Sequence, residues 1–275
     1  MSSMSARPLA LITGASSGIG EAMARALAAR GYDLALVARR ADRLEKLGAE
    51  LASAHAVQTL PIPADLALLG AERLVLDAVA GQGRHVDVLV NSAGFSIAQS
   101  FADVPWQNQQ DFLMTLIVTA CGLAHGVIDG MVERGNGRII TIASLAGFAP
   151  GVAGHTLYPG AKSLAIKFAQ ALDAEYRARG LKITAVCPGF VQTEFTAANG
   201  TDAVMATAPR RLFQTAQQVA LAALKANDRG QVVSVPGWYN VIAARALHYL
   251  PQGLVRAGLM VGSAKYHLPA DGQAG

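Results

Sequence analysis

Cysteine is scarce: Cys121 and Cys187 are the only two in 275 residues, far apart, with no CxxC pair and no histidine cluster beside them. This excludes a disulfide scaffold and gives no support to a zinc site, so both read as buried free thiols and no metal is expected. Charge is also sparse, at 15% of residues. The basic residues are scattered apart from Arg39-Arg40 and Arg210-Arg211, so the net charge of +4 does not make a nucleic-acid surface. Long hydrophobic runs are missing. Met1 to Pro8 is polar, and the apolar run Leu9–Ile12 stops at Thr13-Gly14, too soon for a signal-peptide core or a membrane span, so a cytoplasmic protein is expected. No repeat period or linker divides the chain, and the one low-complexity stretch is a polar tail after His267. What the chain does have is a hydrophobic fraction of 52%, enough for one large core, and residues 1–275 read as a single domain.

Short runs rich in Val and Ile alternate with longer segments of helical period, the pattern of βα units with a parallel sheet covered on both faces. The predicted strands are Leu9–Thr13, Asp33–Arg39, Val57–Pro63, Val86–Asn91, Gly137–Ser144, Leu181–Cys187 and Gln231–Val235. The predicted helices are Ile19–Ala29, Asp42–Ala54, Gly70–Ala80, Trp106–Glu133, Tyr158–Arg179 and Ala216–Ala226. The expected fold is α/β: a Rossmann-like, doubly wound, seven-stranded parallel sheet in three α/β/α layers. Two segments break the alternation. Residues 190–214 form a long connection after the sixth strand, where open α/β sheets place ligand loops, and read as a substrate lid. Residues 236–265 read as a C-terminal extension, whose apolar stretch is interrupted by Arg245, His248, Pro251 and Arg256 and is therefore not a membrane span. Packing against the lid or a second subunit is the expected role; peripheral membrane contact is the alternative.

Thr13-Gly14-Ala15-Ser16-Ser17-Gly18-Ile19-Gly20 follows the first strand and opens the first helix. In that context Gly14 allows the turn, Gly18 lets backbone approach phosphate, and Gly20 lets helix and strand pack closely, while free amides and the helix dipole attract negative charge. Ser16 and Ser17 add hydroxyl donors. The glycine spacing is GxxxGxG rather than the GxGxxG of the usual dinucleotide fingerprint. Farther on, Tyr158 and Lys162 are four positions apart on one helix, so their side chains share a face. An ammonium beside a phenol stabilises the phenolate and brings a proton donor with a pKa near 10 toward the working range. Ser144 ends the fifth strand, where its hydroxyl could bind the same substrate oxygen. His155 is a weaker candidate acid, because the segment already has a proton donor.

The string TGASSGIG resembles the cofactor loop of the short-chain dehydrogenase/reductase family, and Asn91-Ser92-Ala93-Gly94, Tyr158-Pro159-Gly160-Ala161-Lys162 and Pro188-Gly189 resemble that family's later motifs in their expected order. The resemblance spans most of the chain. It implies an NAD(P)-dependent oxidoreductase acting on CH–OH or C=O groups, with Ser144, Tyr158 and Lys162 catalytic and Lys162 also on the nicotinamide ribose. Asp65 and Leu66 would hold the adenine; Asn91, Ala93 and Gly94 would line the adenosine side; Pro188, Gly189, Val191 and Thr193 would hold the carboxamide end. Taken alone, Asp65 could equally be a turn or helix-cap residue. Enzymes that choose NAD usually carry a carboxylate at the end of the second strand. Here Ala38-Arg39-Arg40 stands there, and guanidinium groups suit a 2′-phosphate, so NADP(H) is expected over NAD(H), with Arg39 as the main contact and Arg40 as helper. The plain alternative is a pair of solubilising surface arginines.

Two departures from the family pattern stand out. A helix asparagine that helps hold a relay water is missing from Thr115-Leu116-Ile117-Val118-Thr119, where Leu116 or Ile117 takes its place, so altered proton delivery is expected. The Ser144–Tyr158 segment is about one residue longer than in many relatives. Phe190, Phe195, Met205, Phe213, Trp238 and Tyr239 suggest an apolar pocket and a lipophilic ketone, aldehyde or secondary alcohol. The rival from another class is an NADP-binding sensor with little turnover. A nucleotide-sugar epimerase or dehydratase would need a larger C-terminal domain. The resemblance also implies a homodimer or homotetramer, with the helices around Phe112 and Phe168 as candidate contact faces unless their apolar residues face only the sheet.

Overall fold

The computed structural model describes residues 7–151, 153–154, 156–192, 212–251, 253 and 255–256. Its centre is a seven-stranded parallel sheet in the order β3-β2-β1-β4-β5-β6-β9. The strands are β1 (Leu9–Thr13), β2 (Asp33–Ala38), β3 (Thr59–Pro63), β4 (Val88–Asn91), β5 (Gly137–Ile142), β6 (Leu181–Val186) and β9 (Val233–Ser234). In register, Leu11 lies opposite Ala35 on one side and Leu89 on the other. β1 is buried along its whole length, and its residues alternate between two cores: Leu9 and Leu11 enter one, Ala10 and Ile12 the other. A strand covered on both faces has no polar face, so the predicted strands read as continuous apolar runs. The predicted Gln231–Val235 is shorter than expected, reduced to two paired residues at the sheet edge.

Helices α1 (Gly18–Ala28), α2 (Ala41–His55), α3 (Ala71–Ala80), α4 (Trp106–Leu113), α5 (Thr119–Glu133), α6 (Tyr158–Tyr176) and α7 (Ala216–Asp228) cover the two faces, with α1 against α7 and α3 against α5. The predicted single helix Trp106–Glu133 is divided: a π-helical turn, Met114–Val118, joins α4 to α5. A π turn accommodates one extra residue without breaking the helix, and it commonly marks a functional site. Among the described residues this run is the one helix long and apolar enough to cross a membrane. One such helix is weak evidence of membrane insertion, and Phe112, Leu123, Ala124, Val127, Ile128 and Met131 on it are buried in the protein.

Two features were not expected. Phe190–Gln192 (β7) and Phe213–Thr215 (β8) pair as a separate two-stranded parallel ribbon, so the ends of the 190–214 connection are tied together. The C-terminal extension begins as helix α8 (Trp238–Tyr249), which packs against a 3₁₀ turn at Leu145–Phe148. Strand order reverses between β1 and β4. The crevice outside their carboxyl ends is where an open α/β sheet binds its ligand, and the residues described next converge there.

Candidate active site

The β1–α1 loop is shaped by what it cannot contain. Gly14 (φ +68°) and Gly18 (φ +59°) adopt the left-handed backbone that other residues avoid. A Cβ on Gly20 would lie 2.2 Å from the Gly14 carbonyl oxygen, and one on Gly14 would lie 2.9 Å from the Ala93 backbone. Ser17 caps α1 with extended backbone but no side-chain cap bond, so the first-turn amides are left to a ligand. Ile19 packs beneath them on the second core. Above the loop, Arg40 Nη2 donates to Ser16 Oγ at 3.1 Å and sits near the Ser16 carbonyl; Arg39 and Arg40 are both exposed at the end of β2.

Thr13 ties this loop to the opposite wall. Its hydroxyl accepts hydrogen bonds from the amides of Ser92 (3.0 Å) and Ala93 (3.1 Å) and donates to the Val90 carbonyl (3.3 Å). Asn91 Nδ2 donates to the Ala120 carbonyl at 3.0 Å, while its buried Oδ1 has no partner. Gly94 faces Leu116, whose Cγ would be 3.3 Å from a Cβ placed there. Asp65 is exposed and accepts the Ala67 amide at 3.0 Å, the ordinary turn role of an aspartate after a strand. Leu66 is buried, and its carbonyl accepts from Thr119 Oγ1 at 2.9 Å.

Ser144, Tyr158 and Lys162 come together at the carboxyl ends of β5 and the start of α6. The Ser144 hydroxyl accepts the Ala146 amide at 3.1 Å, capping the 3₁₀ turn, and hydrogen-bonds the Tyr158 phenol. Lys162 Nζ donates to the Ile142 carbonyl at 2.8 Å and lies 5.6 Å from the centre of the Tyr158 ring. Burial raises the Tyr158 pKa, and the Ser144 contact opposes that rise. Burial also lowers Lys162 to about 8, with the neighbouring Cys187 pulling the other way. The ammonium thus sits over the ring face rather than at the phenol oxygen, and desolvation, not the ion, dominates the titration of the phenol. Cys187, fully buried at the end of β6, is pushed up to about 12 by the same burial and remains a neutral thiol.

The Pro188-Gly189 turn closes the far side. The Pro188 carbonyl accepts the Leu145 amide at 3.0 Å. A Cβ on Gly189 would meet Asn240 Oδ1 at 2.4 Å, and Asn240 itself donates to Gln214 Oε1 (3.1 Å) and the Pro236 carbonyl (2.7 Å). α8 is thereby bolted to the turn and to β8. Val191 packs partly on the second core; Thr193, like Phe195, Met205 and His155, lies outside the described residues.

A void of about 10 Å³, room for one water, lies between the π turn and Lys162. Thr115, Leu116, Asn91 and Lys162 are on its lining and Ile117 is not, so of the two residues in the asparagine's place Leu116 faces the void. The apolar wall beside Tyr158 differs from the expected one. Phe112 and Phe95 stack edge to face at 5.6 Å, and Phe112 lies 6.5 Å from the Tyr158 ring, whereas Trp238 is 75% exposed. Phe112 therefore faces the site. Phe190 and Phe213 stack on each other at 5.6 Å in the ribbon.

Sequence reasoning did not single out Thr13, Asn240 or Gln214. Thr13, at the end of β1 and next to Gly14, carried a usable signal; the other two are joined only by the tertiary fold. A cradle closed to any Cβ, an uncapped helix N-terminus and the unpartnered Asn91 oxygen together fit a dinucleotide. Among the described residues no group of three potential metal ligands forms.

Comparison with known proteins agrees with this geometry. The family model for short chain dehydrogenase matches residues 8–204. An uncharacterised oxidoreductase of Myxococcus xanthus is 37% identical over 202 residues, 72% of this chain and 78% of that protein. A very-long-chain 3-oxoacyl-CoA reductase of Anas platyrhynchos is 35% identical over 68% of this chain, and the match spans only 61% of the duck protein. Among solved structures, a short-chain dehydrogenase from Sphingobium yanoikuyae in complex with NADPH superposes with TM-score 0.79 at 32% identity, covering 90% of this chain and 94% of that one. The glycine loop, the Ser144–Tyr158–Lys162 corner and these matches lead to one assignment: the chain belongs to the short-chain dehydrogenase/reductase family, whose members are oxidoreductases acting on CH–OH or C=O groups.

Proposed function

We propose that this chain is an NADP(H)-dependent oxidoreductase that interconverts a lipophilic ketone or aldehyde with its secondary or primary alcohol. The observation that carries the reading is the contact of the Ser144 hydroxyl with the Tyr158 phenol, with Lys162 over the ring and the glycine cradle in the same crevice. When bound, the nicotinamide supplies or accepts hydride. Gly14, Ser16, Ser17, Gly18, Ile19 and Gly20 would hold its pyrophosphate; Arg40, already on Ser16, and Arg39 would take a 2′-phosphate. Asp65, Leu66, Asn91, Ala93 and Gly94 would line the adenosine side, with Pro188, Gly189, Val191 and Thr193 at the carboxamide.

The chain's own residues then act on the substrate oxygen. Ser144 donates a hydrogen bond to it and stabilises charge that develops during reduction. Tyr158 delivers the proton, and in the reverse direction takes it back. Lys162, fixed by the Ile142 carbonyl, offers a positive charge beside the phenolate once a proton has left and would bind the nicotinamide ribose. The apolar character of the substrate is supported by Phe95, Phe112, Ile97 and Leu157 near Tyr158 and by the long-chain substrate in the duck relative's name. The same proposal takes the enzyme to be cytoplasmic and a homodimer or homotetramer; light scattering that finds only monomer overturns the assembly.

The deciding experiment follows nicotinamide absorbance with purified protein over a panel of ketones, aldehydes and alcohols, with both cofactors and a Tyr158→Phe control. Turnover that prefers NADPH and falls at least about a hundredfold in the control is expected. Tight NADPH binding with no turnover on any substrate would instead favour a sensor.

A further inference from the structure

Asn240 and Gln214 form a buried amide pair that the chemistry above leaves unused. Asn240 lies in the first turn of α8 and is 5% exposed; Gln214 is the middle residue of β8 and is 8% exposed. Asn240 Nδ2 donates to Gln214 Oε1 at 3.1 Å and to the Pro236 carbonyl at 2.7 Å. A side-chain amide carries its donors at one end and its acceptor at the other, so these two bonds fix which way it points. The other side of the amide backs onto Gly189. A Cβ there would meet Asn240 Oδ1 at 2.4 Å, Cγ at 2.9 Å and Nδ2 at 3.0 Å. Gly189 does not have left-handed backbone, so the fold needs glycine at this position for space alone.

The anchor of this pair is firm. Gln214 stands opposite Val191 in the β7–β8 ribbon, and the next residue, Thr215, forms a capping box with Gln218 that starts α7, the helix packed on α1. On its other side the Pro188-Gly189 turn is tied to the catalytic corner, since the Pro188 carbonyl accepts the Leu145 amide of the 3₁₀ turn that Ser144 caps. The turn is thus clasped between the Ser144 segment and Asn240. We propose that Asn240, held by Gln214, is a positioning residue: it backs the Pro188-Gly189 turn and so sets where the nicotinamide end stands against Ser144 and Tyr158. This rests on the reductase reading above and deepens it, by giving the C-terminal helix a part in cofactor placement. A shift of about 1 Å at the reacting atoms can cost about a hundredfold in rate. The glycine loop lies on the opposite rim, so the effect of Asn240 is confined to the nicotinamide half of the cofactor.

The test measures binding of NADPH and of adenosine 2′,5′-bisphosphate, which lacks the nicotinamide half. The proteins are wild type, Asn240→Ala, Gly189→Ala and the double variant, and the melting temperature of each without ligand checks its folding. Asn240→Ala should weaken NADPH about tenfold and leave the bisphosphate within about twofold. Gly189→Ala drives a methyl into the Asn240 amide and should weaken NADPH by about tenfold or more. The double variant puts that methyl into the space Asn240 leaves, so it should bind NADPH better than Gly189→Ala does. Gln214→Leu removes the anchor without opening space behind the turn; it should show the same bias at about threefold, and it carries the test if Asn240→Ala does not fold. Equal weakening of both ligands, weakening of neither, or a double variant whose losses simply add overturns the proposal. Wild type that binds NADPH no more tightly than the bisphosphate defeats nicotinamide placement and the reductase reading together. A wild-type preference for NADPH that Asn240→Ala keeps in full defeats the role of Asn240 alone.

Discussion

The two rims of the cleft are made of different materials. The rim proposed for phosphate is backbone: Gly14 and Gly20 leave no space for a Cβ, Gly18 takes left-handed backbone, and a single hydroxyl, Thr13, fastens the loop to the Ser92-Ala93 wall. The rim proposed as catalytic is side chain: a phenol, a hydroxyl and an ammonium, each held by a main-chain group or by one another, in surroundings that disfavour charge. The first rim is fixed by sterics and will fail by crowding. The second is held by packing and hydrogen bonds against its own electrostatics, so its groups can be removed without loss of the fold.

The largest effect should come from crowding the backbone rim. In Gly20→Ala the new Cβ would need the space 2.2 Å from the Gly14 carbonyl, so helix and strand must separate. Loss of NADPH binding and a stability loss of about 3 kcal/mol are expected. Gly160→Ala is the matched control: it is helical, nothing lies within 4 Å of its Cβ, and it should be neutral or stabilising by up to about 1 kcal/mol. Denaturant melts and fluorescence titration with NADPH measure both; equal behaviour of the two variants would remove the steric account.

Lys162→Met breaks the comparison from the other side. Activity should fall about a hundredfold or more, yet the apo protein should become more stable near neutral pH. The folded pKa of about 8 lies below the ordinary 10.5, so at pH 7 folding carries the full cost of burying the charge. The lost Ile142 bond offsets part of the gain, leaving about 2 kcal/mol. Between pH 8 and 10.5 the unfolded state holds more protons, so wild-type stability rises and the variant's advantage should shrink. A variant that is less stable throughout would mean that the hydrogen bond outweighs desolvation.

The same contrast explains what could be read from the chain. Backbone requirements leave glycine at fixed spacing after a strand, and the sheet betrays itself in runs such as Leu9–Ile12 and Leu34–Val37 that have no polar face. Tyr158 and Lys162 share a helix face by spacing alone. Contacts between distant elements leave no such trace. Asn240 meets Gly189 and Gln214 only because α8 folds back on β8, and Trp238, expected in a pocket, instead faces solvent at the start of that helix. The π turn was hidden because Trp106–Glu133 keeps its helical period on both sides of the extra residue. The contact of Arg40 with Ser16 was equally invisible, since which guanidinium reaches that serine depends on the backbone where α2 starts.

A smaller effect should come from those arginines. Arg40→Ala is expected to weaken NADPH about tenfold while leaving NADH nearly unchanged, because one charge-assisted contact to phosphate is lost. Arg39→Ala should do less, as both guanidinium groups are exposed and it is Arg40 that already reaches the loop. Binding titrations with both cofactors check this, and equal weakening of NADH would place Arg40 in the loop's structure rather than in phosphate recognition.

The smallest effect is expected where the family pattern is most visibly broken. Leu116, one of the two residues in the place of the relay asparagine, lines a void with room for one water beside Lys162. Asn91, whose buried Oδ1 has no partner, also lines this void, as does Thr115 of the π turn. An acceptor for the water is therefore present without an asparagine at 116, and Leu116→Asn should change kcat by less than about tenfold. Its trace should be in the pH profile of kcat: a second acceptor near Lys162 favours the ammonium, which steadies the phenolate and moves the Tyr158-dependent limb to lower pH. Ile117→Asn, whose side chain is off the void, should leave the profile where it is. If the two variants behave alike, the void is not part of the proton path, and the catalytic rim ends at Lys162.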